Sequence, residues 1–239
     1  MSEPRVRSGC ELSSARYEVP FAPDRFNRTR LLLQWVGENK DVLELGCSTG
    51  FISRLLSEQG CRITGVENDR AAAARAAAFC TRVVQTDLDH PDWIGGLSAS
   101  TSFDVILLGD VLEHLTAPDR VLCQLRPLLK QDGYLVISLP NVVHWITRVK
   151  IVSGHFNYQP IGTLDVTHLR FFTCRTARQL IEETGYRVLD FHPAIGGRMS
   201  GHFRPAWQFL ARLMPSLFAY QLLFRAAPLP VAHSGRRSN

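Results

Sequence analysis

A chain of 239 residues with 45% hydrophobic and 21% charged side chains has room for one α/β domain with a substantial core, and too little for a second. That composition excludes a disordered chain, and a net charge of +5, read as dispersed, is too small to argue for a nucleic-acid partner. Cysteines at 10, 47, 61, 80, 123 and 174 lack the paired spacing of metal fingers, the opening MSEPRVRSGCELSS has no apolar core or cleavage signal, and no apolar run is long enough to span a bilayer, so a reducing, cytoplasmic setting is expected.

In chain order, residues 1–20 read as a flexible N-terminus, 21–227 as one domain and 228–239 as a flexible tail. A helix over Pro23–Val36, apolar through Phe26, Leu32, Leu33 and Trp35, should cover one end of a sheet. Val42, Leu43 and Leu45 form a short strand that stops at Gly46-Cys47-Ser48-Thr49-Gly50, and the chain resumes as an amphipathic helix from Phe51 to about Glu58. Gly46 and Gly50 allow a ligand to lie against the loop, whose N–H groups and helix start face it. After Gly60 a second strand, Arg62–Val66, ends at Glu67. An acid there, about 20 residues beyond the glycines, is placed to accept the hydroxyls of a ribose, so the stretch reads as a nucleoside-cofactor pocket. Glu44, two residues before Gly46, strengthens that reading.

The alanine run after Asp69 is helix by propensity. A third strand, Arg82–Gln85, ends at Thr86-Asp87-Leu88, where Asp87 could accept an adenine amino group and Leu88 pack on the ring face. A fourth, Phe103–Leu108, runs into Gly109-Asp110-Val111-Leu112-Glu113-His114. A helix over 119–130 and a fifth strand, Tyr134–Leu139, follow. This alternation predicts a doubly wound parallel sheet with right-handed crossovers. Residues 141–173, with a helical segment near 142–152 and an aromatic, histidine-bearing loop, read as a substrate lid over the carboxyl ends of the strands. A helix over 176–184 and a strand over 186–191 come next. Phe203, Trp207, Leu210 and Met214 then recur at helical spacing, and Leu217–Phe224 reads as a last strand. Residues 203–225 are assigned to the core, the alternative being a weak peripheral contact with a membrane.

ELGCSTG, GVEND, VVQTDLD, FDVILLGDVLEHL and GYLVISLPN, in that order, resemble the class I S-adenosylmethionine-dependent methyltransferases, a likeness that covers about residues 28–195. The lid segment GTLDVTHLRFFT is similar to small-molecule and glycan O-methyltransferases near the ubiquinone-biosynthesis type. The resemblance implies a Rossmann-like doubly wound seven-stranded sheet, mostly parallel with an antiparallel last strand and helices on both faces. It also implies S-adenosylmethionine as methyl donor, a small-molecule or glycan acceptor, a leading helix that closes over the cofactor so that Tyr17, Phe21 or Arg28 could touch it, and a cofactor site at Glu44, Gly46, Cys47, Ser48, Gly50, Glu67, Asn68, Asp87, Leu88, Asp110 and Val111. Ser48 stands where the family's loop has its central glycine.

Methyl transfer needs in-line approach, exclusion of water and a deprotonated nucleophile. His168 in the lid and His114 after the fourth strand are the candidate catalytic residues. Were the chain helical from Val111, Asp110, Glu113 and His114 would share one face and with His168 could hold a divalent metal. A helix cap that shapes the pocket is the preferred reading, so no metal is assigned. Two other classes compete. A nicotinamide-dependent oxidoreductase would also use Glu67, but G-x-G-x-x-G is missing from 46–51. The other is a binding protein that keeps the fold without catalysis.

Overall fold

A computed structural model describes residues 23–97, 101–195 and 204–230; Tyr17, Phe21 and Phe203 lie outside them. The elements are α1 (Pro23–Val36), β1 (Asp41–Leu45), α2 (Phe51–Glu58), β2 (Arg62–Glu67), α3 (Arg70–Ala76), β3 (Arg82–Gln85), β4 (Phe103–Gly109), α4 (Pro118–Leu125), β5 (Leu129–Pro140), α5 (Trp145–Val152), α6 (Cys174–Glu183), β6 (Tyr186–Ala194), α7 (Arg204–Leu213), α8 (Pro215–Phe218) and β7 (Gln221–Pro228).

The strands form one seven-stranded sheet in the order β3-β2-β1-β4-β5-β7-β6. β1 to β5 pair in parallel, and β7 slots antiparallel between β5 and β6. This is the Rossmann-like sheet that the sequence predicts. Alternation along the strands builds a core on each face: Leu43, Ile106 and Leu108 pack with Val121 and Leu122 of α4 and Ile181 of α6, whereas Val42, Val105 and Leu107 pack with Leu32 of α1 and Leu56 of α2. Each such side chain, fully buried, contributes roughly 1.5–3 kcal/mol. Strand order reverses between β1 and β4, which opens a crevice at their carboxyl ends.

Several boundaries differ from the sequence reading, three of them with a clear physical cause. The helix expected over 119–130 stops at Leu125, and Arg126–Leu128 is a 3-10 turn. Pro127 has no N–H to donate and its ring crowds the preceding turn, so β5 can begin at Leu129. The last strand begins at Gln221 and not at Leu217, because Pro215 starts α8 first. The helix expected from 176 starts at Cys174, where Thr173 and Thr176 form a capping box. Leu222, Leu223 and Phe224 of β7 are fully buried, so this part of 203–225 is core. No helix of the described residues is long and apolar enough to cross a membrane.

Candidate active site

The ends of β1, β2, β3 and β4 form one wall of a cavity of about 1120 Å³, lined there by Gly46, Ser48, Glu67, Asn68, Asp87, Leu88, Asp110 and Val111. Glu67 is buried and held from two sides: Oε2 accepts the Ser48 N–H at 2.8 Å and Oε1 accepts the Asp69 N–H at 2.9 Å. A carboxylate has about four lone-pair positions, so two remain for a vicinal diol. Gly46 has φ 63°, and a Cβ there would lie 2.9 Å from Cγ2 of Val111, so only glycine lets the loop pass the end of β4. Ser48 holds φ 49° without being glycine; the left-handed region costs such a residue roughly 1–2 kcal/mol.

Glu44, Cys47 and Gly50 stand behind this loop, off the cavity wall. Glu44 points to the α2 side, like Val42, and accepts the Ser53 hydroxyl at 2.6 Å. Burial pushes its carboxyl up to about 8; the Cys80 and Glu67 charges add to this and the Ser53 bond opposes it. The Cys47 and Cys80 thiols fill the space over Gly65, where a Cβ would sit 2.7 and 3.2 Å from the two sulfurs. At Gly50, φ is 83° and a Cβ would meet Ala76 Cα at 2.9 Å, so that glycine serves the close approach of α3.

Beyond β4 the expected helix from Val111 is a 3-10 turn over Leu112–His114, and Asp110 takes φ 59°. Its carboxylate therefore turns away from Glu113 and His114. It pairs with the Arg28 guanidinium and accepts the Ser138 hydroxyl at 2.9 Å. Burial alone would raise its pKa, but the Arg28 charge and the Ser138, Arg28 and Gln221 hydrogen bonds hold it below the usual carboxylate value. The shared face expected of Asp110, Glu113 and His114 does not form.

Glu113, His114 and His168 do meet, because the lid docks on Glu113. Its carbonyl accepts the N–H groups of Leu169 at 2.8 Å and Arg170 at 3.0 Å. Asp165, 1% exposed, closes the preceding turn by accepting the Thr167 N–H at 2.8 Å and hydroxyl at 2.7 Å. His168 then meets His114 edge-on, ring centroids 4.8 Å apart. Nδ1 of His114 lies 3.2 Å from the Thr167 carbonyl, and Nδ1 of His168 lies 3.2 Å from that of Thr163. A carbonyl only accepts, so each Nδ1 carries a proton, and the His168 ring when neutral keeps its Nε2 lone pair. Burial, then the neighbouring His114, lowers the His168 pKa, which keeps that ring neutral near pH 7. Both carboxyl oxygens of buried Glu113 lack a hydrogen-bond partner among the described residues. Burial, then the Asp110 charge, raises that carboxyl well above its ordinary value. One donor atom from each of the three residues lies within 4.8 Å of the others.

A family model described as a methyltransferase domain matches residues 21–190. The chain belongs to the class I S-adenosylmethionine-dependent methyltransferases. It is 27% identical over 159 residues to a probable S-adenosylmethionine-dependent methyltransferase of Mycolicibacterium smegmatis, covering 65% of this chain and 56% of that protein. The chain thus spans little more than half the length of this relative. It is 28% identical over 167 residues to the ubiquinone biosynthesis O-methyltransferase of Coxiella burnetii, covering 65% of this chain and 69% of that one. Among solved structures, a SAM-dependent methyltransferase from Archaeoglobus fulgidus shares the fold with a TM-score of 0.60 at 18% identity, over 84% of this chain and 91% of that one.

The family's methyl donor suits this wall: a fixed acid for the ribose, Asp87 beyond it, and Leu88 and Val111 as apolar surface. The far wall of this methyltransferase cavity was only partly legible in sequence. His144, Trp145 and Thr163, all within the predicted lid segment 141–173, line it, as does Arg28, whereas Trp207, Tyr220 and Gln221 lie outside that segment and were not foreseen. Trp207 stacks on Trp145 at 6.3 Å, and His144 meets Tyr220 edge-on at 5.7 Å. The repeat of Trp207 with Leu210 and Met214 gave a helix but no partner, and the site depends on that partner.

Proposed function

We propose that this chain transfers the methyl group of S-adenosylmethionine to an oxygen of a small-molecule or glycan acceptor. The observation that carries the reading is the buried Glu67 carboxylate, oriented by two amides, in the same cavity as a neutral His168. The bound sulfonium supplies an electrophilic methyl group. Glu67 accepts the ribose hydroxyls, Asp87 the adenine amino group, and Leu88 and Val111 cover the ring. The amides of the 46–50 loop face the amino-acid end. His168 Nε2 takes the acceptor's hydroxyl proton, with His114 beside it, and Trp145 and Trp207 exclude water. Oxygen as the target follows the named activity of the Coxiella relative. A screen of phenols, sugars and acids with purified protein, scored by release of S-adenosylhomocysteine, tests this; no heat in calorimetry with either methyl donor or demethylated product would sink it.

The unpartnered Glu113 oxygens favour a second reading of the acceptor side, in which Glu113, His114 and His168 hold a divalent cation. The Nδ1–carbonyl contact of His168 leaves its Nε2 as the ligand atom, the arrangement that outer contacts impose on metal-binding histidines. With metal–ligand distances of about 2.0–2.2 Å, the three groups would close by about an ångström. Such an ion would lower the pKa of an acceptor hydroxyl. Chelation should then abolish turnover and added divalent metal restore it, whereas activity that survives exhaustive dialysis against chelator removes the ion.

A further inference from the structure

The basic excess is not dispersed along the chain. Residues 141–178 hold five basic side chains against one acid, Asp165, and residues 191–239 hold six arginines and no acid. The remaining residues carry sixteen basic against twenty-one acidic side chains. These two basic segments include α5, the lid loop and α7, the elements at the far wall of the cavity. Asp165 is buried in its own turn, so the exposed part of the lid offers no negative charge.

The same elements expose apolar side chains. Residues 151–162 are twelve consecutive exposed positions, and none is Lys, Arg, Asp or Glu. Val149 is 60% exposed, Val152 89% and Tyr158 55%, and Phe156 packs edge-on against Tyr158 at 5.6 Å without being covered. α7, joined to α5 by the Trp145–Trp207 stack, exposes Phe209 and Leu213, each at 62%, with Arg212 exposed between them. Soluble surfaces rarely leave apolar groups of this size clustered unless they meet something. Ile146, Lys150, Gln159 and Ile161 of the same segment also line the cavity, so it opens at this surface.

We propose that α5, the loop 153–162 and the exposed side of α7 dock on an anionic phospholipid surface, setting the mouth of the cavity against the bilayer. Aliphatic groups enter the acyl boundary, Phe156 and Tyr158 sit at headgroup level, and Arg148, Lys150 and Arg212 meet phosphates. A nucleic acid would match the charge but not the aliphatic tip, and an acidic protein would not call for a chargeless run of twelve. The docking goes beyond methyl transfer and does not rest on it, because it is read without cofactor or turnover.

The test is sedimentation of the full chain with vesicles of phosphatidylcholine alone or mixed with phosphatidylglycerol. We expect binding to the mixed vesicles, roughly tenfold weaker binding to the neutral ones, and loss in high salt. Val149→Ser combined with Val152→Ser should weaken binding to the anionic vesicles about a hundredfold, and Phe209→Ser with Leu213→Ser should weaken it as well. S-adenosylhomocysteine affinity and melting temperature should stay unchanged in both, since these side chains are exposed and off the cavity wall. Failure to bind anionic vesicles, or equal binding by the first double variant, overturns the proposal. So does a protein dimer that forms without vesicles and that the same variant disperses, which would assign the face to a second copy.

Discussion

The two walls of the cavity are finished to different degrees. On the cofactor side the buried carboxyl groups are bonded within the protein: Glu67 to two amides and Glu44 to Ser53. On the acceptor side Glu113 has no partner for either oxygen, and lid and α7 leave large apolar groups in water. A buried, unbonded carboxyl costs roughly 1–3 kcal/mol or more, so it persists where something else satisfies it or where function needs it. The cofactor wall is thus built to receive a known shape without rearranging, while the acceptor wall completes itself only on binding. Substitutions on the first wall should act on affinity or stability, and on the second on turnover.

His168→Ala gives the largest expected effect. Removing the Nε2 acceptor should lower turnover about 10²- to 10⁴-fold, with S-adenosylhomocysteine affinity within about threefold of wild type by calorimetry, because His168 touches none of the cofactor wall's bonds. A large loss of cofactor affinity would erase the division between the walls. Glu67→Ala comes second and breaks the other wall. It removes the ribose acceptor and frees the Ser48 and Asp69 amides, and hydrogen bonds to a charged group are each worth about 1.5–3 kcal/mol. Affinity for the demethylated cofactor should fall at least about tenfold in the same titration.

The same division decides what could be read from sequence. Strand pattern, the glycine turn and Glu67 at its offset are local features, and they predicted the doubly wound sheet and placed Glu67 and Asp87 at the carboxyl ends of its strands. The direction of the Asp110 side chain was not legible, because it depends on a positive φ and on Arg28, 82 residues away. Glu113 and His114 meet His168 only because lid N–H groups dock on the Glu113 carbonyl, a contact without a sequence period. Glu44, Cys47 and Gly50 were placed near the loop, but alternation turns Glu44 under α2, and nothing local says that Cys47 faces Cys80. Short-range rules ran out where distant segments complete the site.

Glu44→Gln sharpens the claim that this residue shapes the loop from behind. The folded carboxyl titrates at about 8 against an ordinary 4.5, so between these values the native state binds the proton more tightly than the unfolded chain. Stability is therefore fully present below about pH 4.5 and declines as pH rises toward 8, by at most about 1.4 kcal/mol per pH unit. Glu113, raised by burial, adds to that fall, whereas His144, His168 and His192, lowered by burial, and above about pH 7 the Cys80 thiol, held down first by the hydrogen bond from Cys47, work in the opposite sense, so the Glu44 contribution is the difference between wild type and variant. Glutamine can still accept from Ser53 and never ionises. Urea unfolding from about pH 5 to 7 should show the stability of wild type relative to the variant falling as pH rises, with cofactor affinity little changed.

The smallest expected effect is at Ser48. Replacing it with glycine relieves a left-handed backbone that costs roughly 1–2 kcal/mol, but glycine loses about 0.5–1 kcal/mol more in conformational entropy on folding. The net change in stability should be within about 1 kcal/mol and favourable. Ser48 contributes to the cofactor wall through its N–H, which Glu67 already holds, and the substitution leaves that group in place. Affinity should then stay within about threefold. A tenfold loss would instead mean that the hydroxyl itself contacts the cofactor, and that the serine is kept at this strained position for its side chain.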